Sequence, residues 1–238
     1  MNLRSLSYRI KRKIFKEKKL NDHALTAIKI INAGMLHEGN NFLLDHAIKN
    51  APTTGAFLEI GSFCGQSASI ICYLMRKHGK TNLFFSCDKW DFEEKEFSNY
   101  AYLLPIPYDQ YRQFVKESFI RNLNFLGGAE KPFAMEMFSD DFFEIWQSNS
   151  SKSDVFNRTC KLGGNLSFAF IDGNHTYDYV KRDFENTDKY LLKGGFILFD
   201  DSADHWDFGS SNFMDEMKKN KNYALVFKNP NYLFKKVI

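Results

Sequence analysis

The sequence predicts an α/β fold: a mostly parallel sheet with helices on both faces, finished by one antiparallel hairpin strand. Three observations point there. Short apolar runs alternate with longer segments of helical periodicity. Several of the runs end in an acidic residue and a turn, which is where an open parallel sheet gathers its ligands. The last two runs, Tyr223 to Phe227 and Tyr232 to Val237, are joined only by a short link containing Asn229-Pro230-Asn231. A parallel return needs a crossover of about a dozen residues or more, so this pair must be antiparallel.

The totals are compatible with a single large domain. The chain has 238 residues, 44% of them hydrophobic, enough for a continuous core. Phenylalanine is used 25 times, which predicts aromatic packing rather than an activity. No window is long and apolar enough to span a bilayer, and the start carries no signal-peptide core. Cys64, Cys72, Cys87 and Cys160 lack metal-ligand spacing and disulfide density. They read as reduced structural residues, and the protein as cytoplasmic.

Charge is unevenly spread. Residues 1–20 carry eight basic side chains against Glu17 alone, a net +7, so a total of +3 leaves −4 for the remainder. Leu3, Leu6, Ile10 and Ile14 recur at helical spacing within this arm. Such a helix suits weak association with an anionic membrane surface, or packing on its own domain or on a sister subunit in a homo-oligomer. Nucleic acid is not expected as a partner, because the arm lacks interleaved aromatics and the body has no matching basic face.

Taken in order, residues 22–49 read as two helices, marked by Ala24, Ile28, Ile31 and Met35, then by Phe42, Leu43, Ala47 and Ile48. Asn40-Asn41 reads as the break and N-cap between them. These helices and the basic arm form a preamble over 1–50, ahead of the main domain at 51–238. Ala56 to Ile60 is the first strand, and a helix opens near Gly65 with Ala68, Ile71, Cys72 and Met75 on one face and Gly79 as its stop. Glu59 is a carboxylate inside an otherwise apolar strand, costly there unless donors meet it. Strand, glycine turn and helix N-terminus together let a nucleotide-like ligand lie against bare backbone at Gly61, Ser62, Gly65 and Ser67.

Leu83 to Cys87 is the second strand, and Asp88 follows it. An acid there, roughly 20 residues beyond a glycine turn, is placed to accept from ribose hydroxyls. Residues 90–107 form an aromatic and proline-bearing insertion, a candidate lid or acceptor loop. A helix runs from Tyr108 to about Leu126 and stops at Gly127-Gly128. A third strand, Phe133 to Phe138, leads to Ser139 and Asp140; Phe142 to Trp146 is helical, and Gln147 to Asn157 is a polar loop. Leu166 to Ile171 is a buried strand ending at Asp172. The next helix shows Tyr177, Val180, Phe184 and Leu191 on one face and ends at Gly194-Gly195. Phe196 to Phe199 then delivers Asp200 and Asp201, and Phe213, Met214 and Met217 mark a last helix.

Asp172, Asp200 and Asp201 come from neighbouring strands with no Lys or Arg beside them in the sequence, so a hard divalent cation such as magnesium is one way to relieve their repulsion. Capping or water binding at a polar crevice is the other. His175 is a candidate general base, its ordinary pKa being near neutral.

Glu59-Ile60-Gly61-Ser62-Phe63-Cys64-Gly65 departs from the dinucleotide fingerprint and resembles motif I of the class I S-adenosylmethionine-dependent methyltransferases. Ile171 to Tyr177 and Leu191 to Asp201 resemble the bacterial group that includes the macrocin-type sugar O-methyltransferases. The resemblance covers roughly residues 40–202. It implies a Rossmann-like, seven-stranded methyltransferase sheet and S-adenosylmethionine as methyl donor. The acceptor would be a hydroxyl of a sugar, glycan or natural-product small molecule. It also implies that Glu59 and the turn from Gly61 to Gly65 hold the methionine end, that Asp88 holds the ribose, and that Ser139 and Asp140 lie near the adenine. Asp172 is implied as cofactor-binding and catalytic, and Asp172, Asp200 and Asp201 as ligands of magnesium. The group usually carries Asp-Gly-Asp where this chain has Asp172-Gly173-Asn174, which leaves the metal and the base open. Two rivals stand beside this reading: a nicotinamide-dinucleotide oxidoreductase, and a non-catalytic binding module of the same fold.

Overall fold

The computed structural model describes residues 17–92 and 107–238. The amphipathic helix expected over Leu3 to Ile14 and most of the 90–107 insertion lie outside the described residues. Two helices, α1 (His23–Ile31) and α2 (Glu38–Asn50), precede the first strand. Then come β1 (Ala56–Ile60), α3 (Gln66–Lys77), β2 (Phe84–Asp88), α4 (Tyr108–Leu126), β3 (Phe133–Glu136) and α5 (Ser139–Ser148). A small hairpin, β4 (Ser151–Ser153) and β5 (Thr159–Lys161), leads to β6 (Leu166–Ile171), α6 (Tyr177–Asp188) and β7 (Leu191–Phe199). The chain closes with α7 (Gly209–Met217), β8 (Tyr223–Lys228) and β9 (Tyr232–Lys236).

Seven strands make one sheet in the order β3-β2-β1-β6-β7-β9-β8. β3, β2, β1, β6 and β7 are parallel; β9 alone runs against them, between β7 and β8. This is the expected parallel sheet with a hairpin finish. Successive strand residues face opposite sides, so each central strand feeds two cores. Phe57, Phe168, Phe170, Phe196 and Leu198 meet α1 to α4 through Leu25, Leu43, Ile71 and Phe119. Leu58, Ala169, Ile171, Ile197 and Phe199 meet α5 to α7 through Phe142, Trp146, Phe184 and Met214. Each fully buried phenylalanine contributes about 2 kcal/mol by removing its ring from water. No helix among the described residues is long and apolar enough to cross a membrane.

Six local expectations are corrected. Asn40-Asn41 lies inside α2, whose N-cap is His37, its Nδ1 accepting from the Gly39 amide at 3.0 Å. Asn40 mimics a cap signal because its amide is committed to a partner distant in sequence, described below. Leu191 is the first residue of β7, paired with Leu166, and α6 ends at Asp188. Its side chain enters the same core as Val180 and Phe184, so the helical periodicity runs on past the helix. Gly194 and Gly195 sit within β7, where a register irregularity opposes Leu166 to Phe168. The β4–β5 hairpin starts in what reads as the polar loop Gln147 to Asn157 and its second strand lies beyond that loop; its exposed Ser, Lys and Thr residues carry no apolar alternation. Finally, β2 runs one residue later than expected and β3 ends at Glu136.

Candidate functional site

Register builds the site. Ile60 is level with Cys87 of β2 and with Ile171 of β6, and Ile171 is level with Phe199 of β7. The next residue on each strand is Asp88, Gly61, Asp172 and Asp200, so these four form one rank at the carboxyl edge of the sheet. Hydrogen bonds carry the rank across: Gly61 N–H to Cys87 O at 3.0 Å, Asp172 N–H to Ile60 O at 2.8 Å, and Asp200 N–H to Ile171 O at 2.9 Å.

Glu59 lies one step below, opposite Ser86 and Phe170, and is fully buried. Its Oε2 accepts from Ser86 Oγ at 2.8 Å, and the Ser62 and Ser67 hydroxyls also bear on the carboxyl. Oε1 has no hydrogen-bond partner. Burial pushes its pKa up to about 7, against the partial relief of those hydroxyls. This buried, unpartnered oxygen is an acceptor beneath the glycine turn. Because the folded pKa exceeds the unfolded one, the stability tied to Glu59 is complete below about pH 4.5 and lost as pH rises through 7. Glu59→Gln is expected to remove roughly 3 kcal/mol of the fall in unfolding free energy between pH 4.5 and 8. Urea titrations at the two ends check this, and an unchanged slope would show that Glu59 is not the group responsible.

Asp88 is welded to the turn above Glu59. Its Oδ2 accepts from the Ser62 and Phe63 amides at 2.7 and 2.9 Å, and its Oδ1 from the Trp90 amide at 2.6 Å. Trp90 Nε1 in turn donates to Phe63 O at 2.9 Å. Phe63 and Trp90 both have positive φ, 44° and 49°, a costly conformation for bulky residues. Such strain persists only where surroundings over-determine it, and it gathers at functional sites. Trp90, the start of the expected lid, is thereby a core residue, 1% exposed. Burial raises the Asp88 pKa while those three amides oppose the rise. A carboxylate has about four acceptor positions, so three amides leave room for a further donor.

Gly61 and Gly65 have φ of 84° and 87°, and their missing side chains make room for the protein itself. A Cβ at Gly61 would fall inside 3.0 Å of the Asp172 carbonyl, and one at Gly65 inside 3.0 Å of Leu123. Gly65 is also the N-cap of α3. Ser139 opens α5, and its hydroxyl bears on the Asp183 carboxyl, which is buried and raised to about 7. Asp140 is drawn outward to Arg182 at 3.2 Å and to Asn186 at 3.3 Å, bridging α5 to α6.

At the other end of the rank, the Asp172 and Asp200 carboxyls lie close enough to shift one another's titration, as two acids sharing one proton do. Burial first, then the charge of Asp200, pushes Asp172 well above the usual carboxylate range. Asp200 is raised by burial too, but amides hold its charge. Its Oδ1 accepts from Asn40 Nδ2 at 2.6 Å and Asn231 Nδ2 at 2.5 Å. Asn231 Nδ2 also reaches Asn40 Oδ1 at 3.0 Å, closing the triangle. Asp201, pushed up to about 6 by burial, is in the left-handed region with φ 48°. Its Oδ2 lies 3.4 Å from His175 Nε2. The three acids thus present a proton-sharing pair and a carboxyl turned to a histidine. Among the described residues no group of three or more His, Cys, Asp or Glu is arranged to hold a metal ion.

Asn40, Asn231, Ser86 and Asp183 escape sequence reasoning. Asn40 and Asn231 lie about 190 residues apart and meet only through the fold, though a buried asparagine inside an amphipathic helix is a signal of a distant partner.

A family model of a methyltransferase domain matches residues 58–202. Among solved structures, the O-methyltransferase NovP superposes with a TM-score of 0.55 at 13% identity, over 83% of this chain and 79% of that one. CalS11, a TDP-rhamnose 3'-O-methyltransferase of calicheamicin biosynthesis, gives 0.53 at 14%, over 91% and 81%. The SAH-bound Podospora anserina methyltransferase PaMTH1 gives 0.57 at 10%, over 100% and 98%. At these identities the likeness is one of fold. An uncharacterised protein of Acanthamoeba polyphaga mimivirus is 46% identical over 44 residues, 18% of this chain and 20% of that relative's length.

Proposed function

The chain belongs to the methyltransferase-domain family, and from that premise we propose that it moves a methyl group from S-adenosylmethionine to a hydroxyl of a sugar, glycan or natural-product acceptor. What carries the hydroxyl reading is the proton-handling cluster of Asp172, Asp200, Asp201 and His175 at the ends of β6 and β7. A hydroxyl must lose its proton to become a competent nucleophile, and these groups lie one and two strands from the glycine turn.

The residues fit the donor. Glu59 Oε1, orphaned and buried, supplies an acceptor beneath the turn for the amino group of the methionine end. Asp88 keeps one acceptor position for a ribose hydroxyl while fixing the turn through three amides. Gly61, Ser62, Gly65 and Ser67 line the approach, with Ser139 and Asp140 toward the adenine side. When bound, S-adenosylmethionine supplies an already activated methyl group, so position and deprotonation set the rate. The acceptor proton leaves through this cluster: the Asp172–Asp200 pair, once it has lost its own proton, receives it beside the hydroxyl, and His175, oriented by Asp201, is the second group able to take it. As arranged, the acids do not offer three converging carboxylates to magnesium, so proton transfer is assigned to side chains.

Calorimetry with S-adenosylhomocysteine tests the reading, with NAD as the competing ligand. Binding of the former and not the latter is expected. NAD binding alone would move the chain to the oxidoreductase rival, and binding of neither would leave the non-catalytic module. Asp88→Ala is expected to weaken S-adenosylhomocysteine at least tenfold, because it removes an acceptor and frees the strained turn together. An unaltered affinity would take ribose binding away from Asp88.

A further inference from the structure

Beyond the acid cluster, the loop after β7 and the start of α2 bring aromatic and imidazole rings into a row. His175 lies 5.6 Å from Phe208, Phe208 lies 6.3 Å from Trp206, and Trp206 lies 5.9 Å from His37, centroid to centroid. Phe208 is 42% exposed and the other three are half-buried. The row begins at Asp201 through His175 and ends at the N-cap of the helix whose Asn40 holds Asp200. We propose that this row is the acceptor wall, and that Trp206 and Phe208 select a carbohydrate by stacking on the apolar face of a pyranose ring while the carboxyls receive its hydroxyls.

The proposal rests on the methyltransferase reading and narrows its substrate class. Three features favour a sugar over a planar phenolic acceptor. Neighbouring rings in the row meet at 46°, 75° and 71°, so none forms the parallel-walled slot that would sandwich a flat aromatic. The groups beside the row are acceptors or amides: Asp172, Asp200, Asp201 and Asn40. Such a set suits a ligand rich in hydroxyl donors. The acidic surroundings also disfavour an anionic ring, and nearby Lys228 is already paired with Asp204.

Tryptophan provides the readout. Of the three in the chain, Trp90 and Trp146 are 1% exposed and donate their indole N–H to Phe63 and Gly164 carbonyls. Trp206 is the remaining reporter. The full chain, saturated with S-adenosylhomocysteine and labelled at the indole nitrogens, is titrated with methyl α-L-rhamnopyranoside, methyl α-D-glucopyranoside, UDP-glucose and catechol. At least one sugar is expected to shift the Trp206 resonance, identified by its loss in Trp206→Phe, and to leave Trp90 and Trp146 unmoved. A methyl glycoside response assigns the wall to the ring itself, and a UDP-glucose response alone assigns it to a nucleotide-linked sugar. Phe208→Ala should weaken that sugar about tenfold with S-adenosylhomocysteine affinity unchanged, and Phe208→Leu should not restore it. Shifts by catechol alone, by no sugar, or by sugar equally in Phe208→Ala overturn the proposal. Failure to bind S-adenosylhomocysteine at all would instead strike the methyltransferase reading.

Discussion

Gly61→Ala is expected to lower stability by about 3 kcal/mol or more and to abolish binding of S-adenosylhomocysteine. Two costs combine. The residue has φ 84°, where a side chain costs roughly 1–2 kcal/mol. Its new Cβ would also fall on the Asp172 carbonyl, an overpacking of roughly 1–3 kcal/mol that flexible side chains cannot relieve because the obstacle is backbone. To make room, β1 and β6 must part where the Asp172 amide bonds Ile60 O at 2.8 Å, which displaces the rank of acids itself. Gly79→Ala is the control: φ is 61° but nothing lies within 4 Å of the added atom, so only the backbone cost remains. For a domain of this size the Gly61 variant should melt roughly 2–12 °C lower than the control, the overpacking being the whole difference. Equal melting temperatures would show that the sheet edge yields without cost.

The same position shows how far a sequence can be read. That Gly61 and Gly65 are glycines was legible as a turn at a strand's end; the succession of strands and helices followed from alternating periodicities, and the antiparallel finish from the short terminal link. The reason for the glycines was not legible, because Asp172 and Leu123, which occupy the space a Cβ would take, are remote in sequence. Asp88, Asp172 and Asp200 could be placed at strand ends from pattern alone. Their states could not, since those depend on amides from Ser62, Trp90, Asn40 and Asn231 that only tertiary structure delivers. The hairpin at Ser151 to Lys161 was invisible for a different reason: apart from the partly buried Cys160 its strand residues are exposed, so it needs no apolar alternation. Leu191 misled because a core does not record which element its side chains come from.

Asp172→Asn is expected to cut methyl transfer about 10²- to 10⁴-fold while the protein stays folded and still binds S-adenosylhomocysteine. The place of the proton decides the outcome. Burial raises both Asp172 and Asp200, but the Asn40 and Asn231 amides favour charge on Asp200, so Asp172 is the one pushed further toward the protonated form. An asparagine amide copies that protonated carboxyl as a donor to Asp200, so the fold loses little, yet it can never release a proton. Asp200→Asn is the informative contrast. It leaves the Asn40 and Asn231 donors facing an amide in a buried site, adding roughly 1–3 kcal/mol of destabilisation to any loss of rate. Wild-type kcat should rise with pH as the pair loses its proton, and Asp172→Asn should flatten that limb. Magnesium, were it to bind here, would have to displace the proton from the same oxygens. If added magnesium raises the melting temperature of the wild type and not of Asp172→Asn, the pair takes a cation in place of its proton. A variant that keeps more than half the wild-type kcat would remove Asp172 from the chemistry altogether.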